Sequence, residues 1–204
     1  MPADILLPAK DPEKWAVIAC DQYTSEPEYW ENVRKTVDNA PSAFNIIFPE
    51  VFLGENNAER ISKINAAMKS YLENGVFKEY KNTFVYTERT LKNGKTRRGI
   101  VGLIDLDNYS YEKGSKALIR ATEATVKERI PARVEIRRGA YLEMPHVMLL
   151  CDDPENTLIG RLAGNTDNFE CLYDFDLMCG GGHIRGFAPD KAATEALQRH
   201  TEEL

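Results

Sequence analysis

Two apolar runs separated by a tight-turn dipeptide constrain this chain more than any other feature. NTFVYTERT (82–90) and RRGIVGLIDLDNY (97–109) flank LKNGKT. The Asn93-Gly94 pair between them is a strong hairpin signal. Antiparallel sheet is therefore expected, and the surrounding pattern adds helices to it. KWAVIACDQ (14–22) and AFNIIFPE (43–50) read as buried strands. TSEPEYWENVRKTV supplies a helix start, with Ser25 as cap and Glu28 three residues on to complete a capping box. Residues 56–74 place Ile61, Ile64, Met68, Tyr71 and Leu72 on one helical face, with Asn74-Gly75 as the stop.

The second half continues the alternation. A helix is expected from 116 to 129, ended by Pro131. VEIRR, PHVMLLCDDP (145–154) and CLYDFDLMC (171–179) read as strands, GGGHIRG (180–186) as a bend, and Pro189-Asp190 as the opening of a last helix. The pattern predicts an α+β fold: a mixed β-sheet with flanking helices and one Asn-Gly hairpin, forming a single domain over residues 1–204.

Charge separates the function classes. The chain carries −6 overall and has a pI near 5.2, which argues against general nucleic-acid binding. No apolar run approaches bilayer length, and the N-terminus lacks the apolar core of a signal peptide, so no membrane association and a cytoplasmic location are expected. Cys20, Cys151, Cys171 and Cys179 form no CxxC pair and read as free thiols. Cys171, Cys179 and His183 lack the tight spacing of a zinc site, so no metal ligand is assigned.

Against that acidic background, Leu118–Ala140 (LIRATEATVKERIPARVEIRRGA) holds six bases and three acids. On the expected helix, Arg120–Glu123 and Glu123–Lys127 are spaced to pair, which gives a solvated charged face. The sharper reading is an anion site: Arg120, Arg129 and Arg133 offer planar forks matching phosphate or carboxylate oxygens, and Thr125 adds a hydroxyl. In GGGHIRG, glycines allow close backbone approach to an anion, and His183 and Arg185 could complete a phosphate cradle. The same glycines also suit a plain bend. Glu123 and His183 are the acid–base candidates. Asp105/Asp107, Asp174/Asp176 and Asp152-Asp153 could hold Mg²⁺ beside a phosphate, or could be solvated strand ends. Asp21, Gln22 and Tyr23 leave open the same choice between a turn and a site.

Several long words carry a resemblance. PADILLP, KWAVIACDQYTSEPEYW, IRATEATVKERIPAR, PHVMLLCDDP and YDFDLMCGGGHIRG, in that order from Pro2 to about Gly186, resemble the family catalogued as domain of unknown function 1015. Members of that family are typically about twice as long. Their later half carries an Asp-Gly-His/Asn-His/Ser word similar to the nucleotide-handling motif of ParB and sulfiredoxin-like proteins. No such word occurs in this chain, so the resemblance implies an N-terminal part or a split member. It also implies a candidate chemistry: phosphoryl transfer involving serine or phosphoserine, with a nucleotide and Mg²⁺ as candidate cofactor. The expectation is part of an enzyme handling a small phosphorylated metabolite. The alternatives are a non-catalytic module binding an anionic metabolite, or an interface to a C-terminal half or to a second copy.

Overall fold

The computed structural model describes residues 1–54, 56–122, 126–144 and 146–203, with backbone alone at 202 and 203. Strand β1 (Ala3–Pro8) leads into a short helix α1 (Pro12–Trp15), followed by α2 (Pro27–Val37) and α3 (Asn57–Glu73). Strand β2 (Phe77–Thr83) then returns antiparallel to β1. Between them these elements enclose a helical core. Trp15, Ile46, Phe48, Ile61, Ile64 and Met68 form one cluster, and Trp30, Val33, Val37 and Ile47 a second. Val17, Phe52 and Met144 pack against both. Trp30 and Val33 are fully buried, which stabilises the fold by about 2–3 kcal/mol each.

A four-stranded antiparallel sheet forms the other half, in the order β4-β3-β8-β7. Strands β3 (Val85–Thr90) and β4 (Thr96–Val101) make the hairpin expected from Asn93-Gly94, with Gly94 at φ 80°. After β4 the chain makes a long excursion. It contains β5 (Tyr109–Ser110) paired in parallel with β6 (Ile119–Arg120), then α4 (Ile130–Arg137) and α5 (Ile159–Ala163). Strands β7 (Glu170–Leu177) and β8 (Gly182–Ala188) complete the sheet, and α6 (Lys191–Glu203) ends the described chain. Phe84, Tyr86 and Phe187 from the sheet pack with Leu158, Leu162 and Leu197 from the α5 and α6 regions. The protein is thus α+β, with its parallel and antiparallel pairings in separate sheets. Among the described residues no helix is long and apolar enough to cross a membrane.

Several local expectations are corrected. The described residues of 116–129 contain β6 and a 3-10 turn at Lys127–Arg129, with no α-helix. The helix instead begins at Ile130. Pro131 occupies its first turn, where a missing N–H costs nothing, so this proline starts a helix that it was expected to end. VEIRR accordingly lies largely within α4 and is not a strand. In α2, Pro27 opens the helix behind Glu26 and no side-chain cap forms, so the Ser25 capping box is absent.

Three apolar runs expected as strands join no ladder. Residues 14–22 finish α1 and continue without pairing. Residues 43–50 start as a 3-10 turn capped by the Ser42 hydroxyl, which accepts from Phe44 N at 3.2 Å and donates to Lys14 O at 2.6 Å. Val147–Leu150 is exposed and joins no strand among the described residues.

Candidate functional site

The glycine bend between β7 and β8 is the centre of the candidate site. Met178–Gly180 makes a 3-10 turn in which Cys179 takes φ 54°, followed by Gly182 at φ 92°. A Cβ at Gly182 would run into the Thr90 carbonyl, so the bend closes on β3 only with glycine there. Arg89 of β3 locks the bend from the side, with Nε and Nη2 donating to Gly181 O at 3.1 and 2.9 Å.

Beside the bend lies a cavity of about 320 Å³. Its walls are the hairpin turn Leu91–Asn93, the bend, and the Tyr23/Tyr29 pair. The two tyrosine rings stack at 4.1 Å with an 11° interplanar angle, and Tyr29 stands edge-on to the fully buried Trp30. The helical core thereby fixes an aromatic wall opposite a backbone wall from the sheet.

The backbone is strained at this cavity. Among the described residues, seven non-glycine positions have positive φ, and five are Asp or Asn, which tolerate it. The other two are Tyr23 (φ 52°) and Cys179 (φ 54°), and both line the cavity. Left-handed backbone at such residues costs on the order of 1–3 kcal/mol and concentrates at functional sites.

Its electrostatics run against the protein's net charge. The lining contains Arg89 and Lys92 and no carboxylate, in a chain of −6. Neither cation has a carboxylate partner among the described residues, and the Lys92 amine lies over Gly180. Burial pushes the Tyr29 hydroxyl up to about 12 and the Cys179 thiol above its usual value, so both are protonated at neutral pH. The cavity can present cations, hydrogen-bond donors and an aromatic face. Among the described residues that line it, none is a carboxylate or histidine that could act as a base.

A match over residues 3–203 links the chain to a family described as proteins of unknown function, DUF1015. The chain belongs to the DUF1015 family. No curated protein and no solved structure matches it.

The residues singled out in the DUF1015 sequence are distributed over three places. Arg129 and Arg133 converge on Glu50, Arg133 Nη2 at 2.9 Å and Arg129 Nη1 at 3.5 Å, and Arg133 also lies 3.9 Å from Asp21. Their charge is met internally by Glu50, whose own N–H donates to Cys20 O at 2.8 Å. This clamp ties α4 to the turn that carries Tyr23. Arg120, on β6, is exposed and forms no ion pair among the described residues. Glu123 and Thr125 lie outside the described residues.

His183 and Arg185 stand on the opposite face of the sheet from Arg89, because Thr90 pairs with His183 while Arg89 pairs with Ile184. Of GGGHIRG, expected as a bend throughout, only Gly180 and Gly181 line the cavity, while Gly182–Gly186, with the His and Arg, belong to β8. His183 holds Asp174 at 2.7 Å through Nε2 and Asp176 at 2.8 Å through Nδ1. Hydrogen bonding first to Asp176 and then to Asp174 raises its pKa and favours the imidazolium. Arg185 binds Glu88, a buried carboxylate that Arg98 (3.1 Å) and the Tyr86 hydroxyl (2.8 Å) also engage. Burial opposes ionisation of Glu88, but the bonds from Tyr86, Arg185 and Arg98 outweigh it and hold its carboxyl below the usual value.

The acid pairs fit Mg²⁺ poorly. Asp174 and Asp176 are engaged by His183, Asp105 accepts from Asp107 N within a turn, and Asp153 accepts from the N–H groups of Thr157 and Leu158. Sequence reasoning missed Arg89, Lys92 and Tyr29. A lysine in a hairpin turn and an arginine within a strand carry no local signal that separates them from solvated charges.

Proposed function

We propose that this DUF1015 protein binds a small anionic, phosphorylated metabolite in the cavity between the glycine bend and the Tyr23/Tyr29 pair. The observation that carries this reading is the placement of both strained non-Asx residues, Tyr23 and Cys179, on one cavity. Charge supports it: two cations and no carboxylate line the walls, so an anion gains from both. The volume, about 320 Å³, suits a metabolite-sized ligand. The tyrosine pair would accept a flat or apolar portion of it.

Binding takes precedence over phosphoryl transfer to or from serine because Cys179 and Tyr29 keep their protons and His183 faces away. Catalysis at this cavity would need an acid–base group beyond the described residues that line it.

Thermal unfolding against phosphate, serine, phosphoserine, ADP and ATP, each with and without Mg²⁺, tests the proposal. A ligand at a hundred times its Kd adds about 2.7 kcal/mol, a shift of roughly 5–10 °C for a chain of this size. One phosphorylated compound is expected to give that shift, and Lys92→Ala to remove it. A shift that persists in Lys92→Ala, or none with any compound, would overturn the assignment.

A further inference from the structure

A second cavity, of about 620 Å³, opens between the α5 region and α6 and shares no lining residue with the first. Its floor is apolar: Leu158, Leu162 and Leu197 are buried members of the sheet-side core, and Phe169 packs beside them. The space exists because α6 turns Ala192, Ala193 and Ala196 toward it, where larger side chains would fill it.

The rim is polar and ordered. Thr157 Oγ1 donates to Asp153 Oδ1 at 3.0 Å and meets His200 Nε2 at 2.9 Å, which makes the imidazole the donor in that second bond. Asp190 Oδ1 is occupied by the Ala193 N–H at 2.8 Å, and Asn165 Nδ2 donates to the Arg161 carbonyl at 2.7 Å. Each of these groups is engaged within the rim, Asn165 and Asp190 locally and Thr157 by Asp153 and His200. The guanidinium of Arg161 is different: it is exposed at the cavity and has no carboxylate partner among the described residues.

We infer that this cavity is a ligand site for a small carboxylate with a hydrocarbon tail, its head on Arg161 and its tail on the Leu158/Leu162/Leu197 floor. A guanidinium fork matches a carboxylate in two bonds, and the floor gives apolar atoms a place out of water. A purely polar metabolite would gain nothing from the apolar floor, and a neutral hydrocarbon would ignore the arginine.

Sodium octanoate, kept below its micelle-forming concentration and titrated calorimetrically into the full chain, is the probe. Saturable one-to-one binding is expected. Arg161→Ala should weaken it about tenfold or more, and octanol should bind correspondingly less well than octanoate. Ala196→Leu, at an exposed helix position that tolerates leucine, should abolish binding by filling the space, while Lys92→Ala should leave it unchanged. Circular dichroism of the variants checks that each is folded. Absence of saturable binding overturns the site. Equal binding in Ala196→Leu does so too, since octanoate would then be held elsewhere, for example on the exposed Val147–Leu150 run. An unchanged Kd in Arg161→Ala, or equal affinity for octanol, overturns the carboxylate assignment.

Discussion

Glu88 gathers more of the sheet's electrostatics than any other single side chain among the described residues. It is buried, and three groups from three strands point their donors at it. Glu88→Ala would leave Arg98 and Arg185 side by side with the Tyr86 hydroxyl unpaired. The expected loss is about 2 kcal/mol, below the range for a fully buried pair because both arginines are half-exposed and can rehydrate. Thermal unfolding should show it as a drop of roughly 4–8 °C. His183 makes the second residue-scale prediction. Its pKa is raised in the folded protein, so its contribution to stability is fully present below the ordinary histidine value of about 6.5 and is lost as pH rises through the raised one. An NMR titration should place its midpoint above the ordinary value, and Asp176→Asn should move it back down; a midpoint insensitive to Asp176→Asn contradicts the pairing.

At the scale of elements, legibility followed how local the cause was. The β3–β4 hairpin, α3, β7 and α6 could be read because turn chemistry and periodicity are properties of neighbouring residues. The runs at 43–50 and 145–154 could not, since an apolar run is compatible with a strand and only a ladder partner makes it one. Pro131 shows a related ambiguity: proline both ends helices and begins them, and its own position does not decide between the two. The site was half legible. GGGHIRG and Asp21-Gln22-Tyr23 each stood out, but their meeting with Arg89 and Lys92 depends on β3 pairing with β8, which brings together residues 92 apart. A prediction belongs at this scale too. Arg133 is tied through Glu50 and Asp21 to the turn that carries Tyr23, so Arg133→Ala should weaken binding of the phosphorylated ligand while Arg133→Lys restores much of it. Both should leave the unfolding temperature within a few degrees, because Arg133 itself is half-exposed and its loss leaves Arg129 still paired with the more buried Glu50.

For the whole molecule, the distribution of apolar surface is uneven. Tyr111, Leu118, Val147, Met148 and Leu150 are each at least 70% exposed, and all belong to the excursion between β4 and β7. Exposed apolar side chains promote association where they lie together in one patch. Sedimentation of the chain should therefore show concentration-dependent association, reduced by the double variant Val147→Ser/Leu150→Ser. A monomer at all concentrations would contradict a self-associating face.

The same excursion has a consequence for the integrity of the polypeptide itself. It leaves the sheet at the outer edge of β4 and rejoins at the far edge, on β7, while the central seam joins β3 to β8 across it. Backbone bonds of that seam, the Glu88–Arg185 pair and the sheet-side core all connect the segments on either side of the excursion. A protease that cuts among the exposed residues near 147–150 should therefore yield two polypeptides that still travel together, and that separate only when the sheet is denatured. The excursion connects the two hairpins covalently, and their pairing, once it has formed, is expected to outlast that connection.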